Sequence, residues 1–237
     1  YRFGEAQGAA NVHALAPLPG GDLVAVLSGG EGVRAVRCNY RGEVTGPIPF
    51  TGFPAGVSPG MDEVRATAGR LYFMDLRALR LVATDEQGHY LFHRDLTKAV
   101  FRDAGPDAEP SLTQDNDVTG FDVDHQGNLL LTVATQFRAL VVSPELDVRS
   151  FGGKGSRAGK FNIAGAIARD EAGNVFVADT LRSVIMVFSP DLRFLFEFGG
   201  RGARPGRLNL PYGLVVGNGK VFVSQGANRG IAVFRIE

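Results

Sequence analysis

Apolar residues recur along the chain in short alternating runs that glycine turns separate. Five stretches share one form, an apolar run, a turn and a second apolar run, as in "GFDVDHQGNLLLTVA" at Gly120–Ala134. The turn glycines lie 48, 58, 46 and 46 residues apart: Gly21, Gly69, Gly127, Gly173 and Gly219. Glycine supplies the positive φ that tight hairpin turns need. The pattern therefore predicts five repeated β-hairpins.

A third apolar run follows each of the five hairpins. In the first four units a fourth segment follows the third run. The third runs are Val33–Arg37, Leu81–Thr84, Ala139–Ser143, Ile185–Ser189 and Ile231–Arg235. The fourth segments end near "PIPF", "YLFH", "VRSF" and "FEFG". Each unit is therefore predicted to be a four-stranded antiparallel meander, the building block of a β-propeller. Helical periodicity is almost absent, and one short helix is expected near Leu96–Arg102.

The two ends of the chain complement each other in this scheme. The fifth unit stops after its third strand at Ile236–Glu237, and the opening "YRFG" aligns with "FEFG" of the fourth unit. Tyr1–Phe3 is therefore predicted to supply the outer strand of the last blade and close the ring, which removes an exposed sheet edge. We expect an all-β fold, a single domain over residues 1–237 with five four-stranded blades.

The last two units resemble a known family of repeats. The segment "FGGKGSRAGKFNIAGAIARDEAGNVFVAD" and its second copy "FGGRGARPGRLNLPYGLVV" are similar to NHL repeats, and the match covers about Phe151–Phe234. Ala164 departs from the family pattern, which usually has proline there. The resemblance implies a propeller with a face that binds protein or RNA. NHL propellers most often have six blades, so six is the alternative count, and Thr97–Asp117 is interpreted as an inserted loop.

Composition limits the possible classes of function. The 237 residues carry 25 basic and 25 acidic side chains, so no net charge attracts nucleic acid or an anionic membrane. No apolar stretch is long enough to span a bilayer. Cys38 is the only cysteine, which excludes an internal disulfide, a cysteine-rich zinc site and a c-type haem attachment pair. A neutral, glycine-rich chain that begins at Tyr1 fits an exported protein, so we expect a periplasmic or secreted location.

The segments "GGKGSRAGKFN" and "GGRGARPGRLN" come close to a phosphate-binding consensus. Neither keeps the glycine spacing of a Walker or dinucleotide loop, and a strand follows where those loops need a helix, so nucleotide binding is disfavoured. Their bases occupy equivalent places in adjacent blades and are predicted to form a basic rim: Lys154, Arg157, Lys160, Arg201, Arg204 and Arg207. A solvated rim and a binding patch for an anionic partner both remain open. Neutral charge and the lack of interleaved aromatic residues disfavour RNA.

Metal and nucleophile sites have less support. His89 and His93 are four residues apart but flank a turn and a strand, and only a helix would place that pair on one face. The segment Asp115–Asp117, with Asp115, Asn116 and Asp117, offers hard oxygen ligands and is the one calcium candidate, although it lacks the spacing of a known calcium loop. No serine lies in a nucleophile elbow. Cys38 is interpreted as a small, partly buried residue.

The sequence favours a non-catalytic scaffold that presents loops to another protein, as a subunit of a larger extracytoplasmic assembly and without a cofactor. A metal-dependent enzyme of the lactonase or lyase type is the first alternative, because some NHL-like propellers hold a metal in the central channel. RNA binding through the basic loops is the second alternative.

Overall fold

The structure, a computed structural model, describes residues 9–30, 32–101, 118–226 and 230–236. It confirms the predicted all-β class, a five-bladed β-propeller in which each blade is an antiparallel meander. Within the described residues four blades have four strands and the fifth has three. The chain divides into two compact units, Tyr1–Leu112 and Thr113–Glu237. The single domain over residues 1–237 stays a prediction.

Unit 1 contains blades 1 and 2. Blade 1 is formed by β1 (Ala9–Pro17), β2 (Leu23–Gly29), β3 (Gly32–Cys38) and β4 (Val44–Pro47), and blade 2 by β5 (Glu63–Thr67), β6 (Arg70–Asp75), β7 (Arg80–Asp85) and β8 (Tyr90–Asp95). The two sheets pack through a shared apolar cluster in which Val24 and Val26 of blade 1 join Val64 and Phe73 of blade 2. The expected short helix, α1 (Thr97–Phe101), follows β8.

Unit 2 contains blades 3, 4 and 5, and it holds the two glycine-rich segments. Blade 3 is formed by β9 (Val118–Val123), β10 (Leu129–Val133), β11 (Arg138–Val142) and β12 (Val148–Gly152), with a single 3-10 turn at Ala134–Gln136. Blade 4 is formed by β13 (Ala164–Arg169), β14 (Val175–Asp179), β15 (Val184–Phe188) and β16 (Phe194–Gly199), and blade 5 by β17 (Pro211–Gly217), β18 (Lys220–Gln225) and β19 (Ile231–Arg235). The first strands β9, β13 and β17 contact one another in turn.

The middle strands of blades 3 and 4 are mostly apolar because both of their faces are covered. Every residue of β10, β14 and β15 is buried. One face of blade 4 packs on blade 3 through Met186 and Phe188, and the other packs on blade 5 through Phe176 and Val187. A strand that is buried on both faces loses the alternation of a half-exposed strand. Truncation of Phe176 to alanine would cost roughly 3–5 kcal/mol of stability.

The five predicted hairpin turns are all present. The turn glycines Gly21, Gly69, Gly127, Gly173 and Gly219 have φ angles of 94°, 72°, 83°, 87° and 67°, the left-handed region that glycine was predicted to supply. In blade 3 Asp124 accepts hydrogen bonds from the Gln126 and Asn128 N–H groups (both 2.9 Å) across its turn. In blade 4 Asp170 accepts one from the Asn174 N–H (2.7 Å). These turns therefore fix the register of the first two strands in each blade.

Two predictions of the sequence lie outside the described residues. The closing strand Tyr1–Phe3 is one, and the part of the inserted loop beyond Phe101 is the other. Among the helices in the described part of the chain, none has the length and apolar character needed to cross a bilayer.

Candidate binding face on unit 2

In unit 2 the segments that cross from one blade to the next lie beside the turns that join second and third strands. Antiparallel strands reverse direction at each turn, so this turn returns to the end where the blade begins. Hydrogen bonds join the two kinds of loop: the Gly153 N–H donates to the Phe137 carbonyl (2.7 Å) and the Gly200 N–H donates to the Ser183 carbonyl (2.8 Å). We call this side the crossover face; it comprises residues 134–137, 153–163, 180–183 and 200–212.

The two crossover segments share one backbone structure. In the first, the Phe161 N–H donates to the Gly153 carbonyl (2.9 Å) and the Phe161 carbonyl accepts from the Gly155 N–H (3.0 Å). Leu208 makes the equivalent two bonds in the second segment (3.0 and 3.1 Å), 47 residues later. Phe161 and Leu208 are both fully buried. Each segment is therefore pinned by one apolar anchor.

The glycines before each anchor are explained by close packing. Gly152 has φ of 104°, and a Cβ there would overlap the Phe161 ring. Gly199 has φ of 100°, and a Cβ there would lie 2.8 Å from Leu208. A left-handed φ together with a buried neighbour requires glycine. Because these glycines bring the backbone over the anchor residue, they serve the fold and need no ligand to explain them.

A side chain at the end of the second strand holds each segment from the other side. The buried Asp179 accepts hydrogen bonds from the Asn162 N–H (2.8 Å) and the Arg182 N–H (3.0 Å). In blade 5 Gln225 takes this place and accepts from the Asn209 N–H (2.8 Å). Backbone donors that are satisfied in this way keep the loops in one conformation. The crossover face is therefore rigid before any partner binds.

The six predicted rim bases all lie on the crossover face, three on each segment, but two of them hold the backbone. The Lys160 ammonium donates to the Gly152 carbonyl (2.6 Å), and the Arg207 guanidinium donates to the equivalent Gly199 carbonyl (3.0 Å). These two bases provide hydrogen-bond donors for carbonyl oxygens at the end of the preceding blade. Their repetition in both segments is therefore accounted for by structure.

All six bases are exposed, and no backbone hydrogen bond is described for the other four. Lys154 places its ammonium 5.3 Å from the centroid of the Phe137 ring, within the range of a cation–π contact. Arg157, Arg201 and Arg204 extend from the surface of their segments. The strands that follow the two segments, β13 and β17, contact each other, so the two sets of bases lie on neighbouring blades. The binding role of this rim stays a prediction.

Sequence reasoning missed a second feature of the crossover face, its exposed apolar side chains. Leu181 is 56% exposed and Tyr212 is 63% exposed, and Ile163 and Leu210 are also exposed. Tyr212 lies between the Pro211 and Gly213 pairs, where the β17–β18 register shifts. Such a bulge turns a side chain outward. The recurrence of a large apolar residue after each loop asparagine, Ile163 and Leu210, was the available sign.

The remaining candidate groups lie elsewhere. His89 contacts the Asp85 carboxylate (2.7 Å), His93 contacts the Tyr90 hydroxyl (2.8 Å), and His125 is exposed in its hairpin turn. Over the described residues no group of three or more His, Cys, Asp or Glu side chains is arranged to hold a metal ion. The calcium candidates Asp115, Asn116 and Asp117 lie outside the described residues.

Cys38 is the last residue of β3 and is fully buried. Burial raises the pKa of its thiol, and the nearby Asp22 carboxylate raises it further. The thiolate is the reactive form of cysteine. Cys38 therefore has the environment of an inert core residue, which agrees with its interpretation from the sequence.

Comparison with known proteins identifies the architecture. No family model and no curated protein matches the chain. Among solved structures, a protein of unknown function from Bacteroides caccae is 12% identical, with a TM-score of 0.63 over 97% of this chain and 79% of that one. Nidogen in complex with laminin is 12% identical, with a TM-score of 0.62 over 97% and 77%. A catalytically inactive virginiamycin B lyase from Staphylococcus aureus, with quinupristin, is 13% identical, with a TM-score of 0.54 over 97% and 71%.

The chain shares the β-propeller fold. At 12–13% identity the similarity shows a shared fold alone. The proteins compared include nidogen, solved in complex with laminin, and virginiamycin B lyase.

Proposed function

We propose that this chain is an NHL-like, non-catalytic propeller that binds another protein through the crossover face of unit 2. The carrying observation is the group of exposed apolar side chains at Ile163, Leu181, Leu210 and Tyr212, which lie on the same face as the exposed bases. Large apolar side chains grouped on a surface indicate an interaction site. Tyrosine and arginine are the residue types enriched in protein interfaces.

The rigidity of the face supports this function. The anchors, Asp179 and Gln225 fix both segments by hydrogen bonds, so little conformational entropy is lost when a partner binds. A stiff frame that carries short loops is suited to recognition. The propeller neighbour nidogen, which is solved in complex with laminin, is consistent with this use of the fold.

The alternatives make separate predictions. RNA binding would rest on phosphate contacts, and with Lys160 and Arg207 engaged on carbonyl oxygens, four of the six rim bases are left to make them. A lyase- or lactonase-type activity would need a metal, and metal analysis of the purified protein tests for one. The extracytoplasmic location is part of the proposal and is tested by cell fractionation.

A site-specific cross-link tests the proposed face. A photo-reactive phenylalanine analogue placed at Tyr212 is expected to capture one defined partner in the native host, identified by mass spectrometry. Leu181→Glu should abolish this adduct, because a charge placed in an apolar contact must be desolvated. The control is Leu146, another exposed leucine (40%, against 56% for Leu181), in the β11–β12 turn at the opposite end of the sheets.

The controls decide the outcome. Leu146→Glu should leave the Tyr212 adduct unchanged, and the analogue placed at Leu146 should not capture the same protein. If Leu181→Glu and Leu146→Glu variants give equal adduct yields, the crossover face is not the binding site and the proposal fails.

A further inference from the structure

The crossover face of unit 2 is basic and carries no acidic side chain. Besides the six rim bases it contains Arg182, and none of its residues is aspartate or glutamate. The adjoining Asp179 is fully buried, where it holds backbone donors. The whole chain has equal numbers of acidic and basic residues, so this excess of one charge is a property of the face and not of the composition.

The opposite end of unit 2 has the reverse charge. The hairpin turns and the turns between third and fourth strands meet at that end, because antiparallel strands reverse direction at every turn. The turns there, residues 124–128, 143–147, 170–174, 189–193 and 217–220, contain the bases Arg193 and Lys220 and the acids Asp124, Glu145, Asp147, Asp170, Glu171 and Asp191. Charge separated in this way directs an acidic partner to the crossover face.

Four bases of the crossover face remain for a partner. Lys160 and Arg207 donate to glycine carbonyls (2.6 and 3.0 Å), and Arg182 pairs with the Glu197 carboxylate (2.5 Å). In the described part of the chain no acidic side chain pairs with the other four, which are Lys154, Arg157, Arg201 and Arg204. A bound partner therefore has to supply the carboxylates or phosphates that these bases lack.

The second crossover segment departs from the first at an exposed apolar residue. Leu210 has φ of 48°, in the left-handed region, whereas its counterpart Ile163 has no such angle. The Leu210 N–H donates to the Ser183 hydroxyl (3.3 Å), and the Leu210 carbonyl accepts from the Gly226 N–H (3.1 Å). Leucine rarely adopts this conformation, and strained positions of this kind cluster at binding sites. The fold thus holds a strained leucine, 42% exposed, two residues before Tyr212.

We infer that the partner of the crossover face is an acidic segment of another protein, with large apolar side chains set among its carboxylates. This inference rests on the proposed function and names the chemistry of the partner. The apolar side chains of the segment would pack on Leu181, Leu210 and Tyr212, and its carboxylates would pair with the four remaining bases. Three of these four are arginines, which bind a carboxylate through two parallel hydrogen bonds.

RNA is the other polyanion that a basic face attracts. Single-stranded RNA is held by aromatic side chains on which successive bases stack. The exposed apolar group of this face has one aromatic residue, Tyr212, and three aliphatic ones, Ile163, Leu181 and Leu210. Aliphatic side chains offer no stacking surface and suit the apolar side chains of a peptide. The composition of the face therefore favours an acidic protein segment.

Fluorescence anisotropy with defined probes tests this chemistry on the full 237-residue chain. The main probe is a labelled peptide in which pairs of glutamates flank Leu-Phe and Tyr-Leu, and its control has glutamine at every glutamate. The other two probes are an acidic peptide with serine in place of the apolar residues and a uridine decamer. The main probe is expected to bind at least about tenfold more tightly than the glutamine control, since each of four exposed charge pairs contributes about twofold or more.

Variants of the chain locate the binding. Arg201→Gln and Arg204→Gln should each weaken the main probe about two- to threefold and leave the glutamine control unchanged. The matched control is Arg193→Gln, an exposed arginine at the opposite end of unit 2, which should change neither. Leu210→Asn should weaken the main probe about threefold or more, because an apolar contact is lost, while asparagine tolerates the left-handed φ. Circular dichroism verifies that the variants are folded.

The outcomes separate this inference from the proposed function. If the Tyr212 adduct forms in the host but the glutamate and glutamine peptides bind equally, the acidic partner is refuted and the proposed function stands. Equal binding of the acidic serine peptide would also overturn the inference, since charge alone would then explain the binding. So would tightest binding of the uridine decamer, which assigns the bases to RNA. A Tyr212 adduct that is insensitive to Leu181→Glu refutes the proposed function instead.

Discussion

The ion pair between Asp124 and Arg169 gives a direct test of how blades 3 and 4 are held together. The Arg169 guanidinium, on β13, donates to the Asp124 carboxylate at the end of β9 (2.8 Å). The side chains are 3% and 12% exposed, so the pair is largely out of water. The perturbation is Asp124→Ala, and the matched control is Asp170→Ala at the equivalent hairpin turn of blade 4.

The control separates the ion pair from the turn. Asp170 accepts hydrogen bonds from the Asn174 N–H (2.7 Å) and side-chain amide (2.9 Å), as Asp124 does from Asn128 (2.9 and 2.8 Å). Loss of these turn bonds should cost about 1–2 kcal/mol at either site. Asp124→Ala also removes the bond from the Gln126 N–H (2.9 Å) and leaves the Arg169 guanidinium, which still donates to the Gly173 carbonyl (3.0 Å), buried without a carboxylate. Together these raise the expected loss to roughly 3–5 kcal/mol.

The pH dependence has a defined sign. Burial alone opposes ionisation of Asp124, but hydrogen bonds from Asn128, Arg169 and the Gln126 N–H outweigh it and hold the pKa of Asp124 below its ordinary value. A lowered folded-state pKa contributes stability that is present above the unfolded pKa of about 4 and is lost as pH falls through the folded pKa. The difference between wild type and Asp124→Ala should therefore shrink below about pH 4.

Urea unfolding followed by far-UV circular dichroism measures these free energies, which is convenient because the chain has no tryptophan. The series needs both variants at neutral pH and at several values below pH 4. Equal losses for Asp124→Ala and Asp170→Ala would show that the pair with Arg169 adds nothing beyond the turn. A difference that stays constant with falling pH would refute the electrostatic explanation.

Three further outcomes follow from the packing and the crossover segments. Cys38 should resist alkylation in the folded chain and react on denaturation, because burial raises its pKa and blocks access; rapid modification by iodoacetamide at neutral pH would contradict this. Lys160→Met should lose about 0.5–1 kcal/mol in urea unfolding, because its bond to a carbonyl is lost, whereas Arg157→Met should be neutral. Gly152→Ala should cost about 3 kcal/mol or more from overlap with a ring, against about 1 kcal/mol for Gly206→Ala in open space; similar melting temperatures would contradict the packing argument.

The blades could be predicted from the sequence because their signals are local. A hairpin glycine such as Gly127 or Gly173 is required by the φ of its own turn, and the flanking apolar runs report which faces are buried. The register of a meander then follows from short turns. These features need no knowledge of distant residues, so the five hairpins, the five third strands and the fourth strands of blades 1 to 4 were correctly predicted. The predicted fourth strand of blade 5 lies outside the described residues.

The roles of the rim bases could not be predicted in the same way. Lys160 and Arg157 lie three residues apart in one segment, have the same charge and are both exposed, yet only Lys160 has a described bond to a backbone carbonyl. The partner of Lys160 is the carbonyl of Gly152, a group that every residue carries, so the sequence contains no complementary residue to find. Only the three-dimensional path of the segment brings them together.

The crossover face carries both repeated and unrepeated features. The bond from Lys160 or Arg207 to a glycine carbonyl recurs in the two segments and is accounted for by the shared fold. Tyr212 breaks the repeat: its counterpart in blade 4 is Gly165, where a Cβ would lie 2.7 Å from the Thr180 hydroxyl. Blade 5 instead accommodates a large ring at this point and leaves it 63% exposed. Neither the repeat nor the core requires an aromatic residue at this position. Tyr212 is therefore the residue of the crossover face that most strongly supports the proposed binding function.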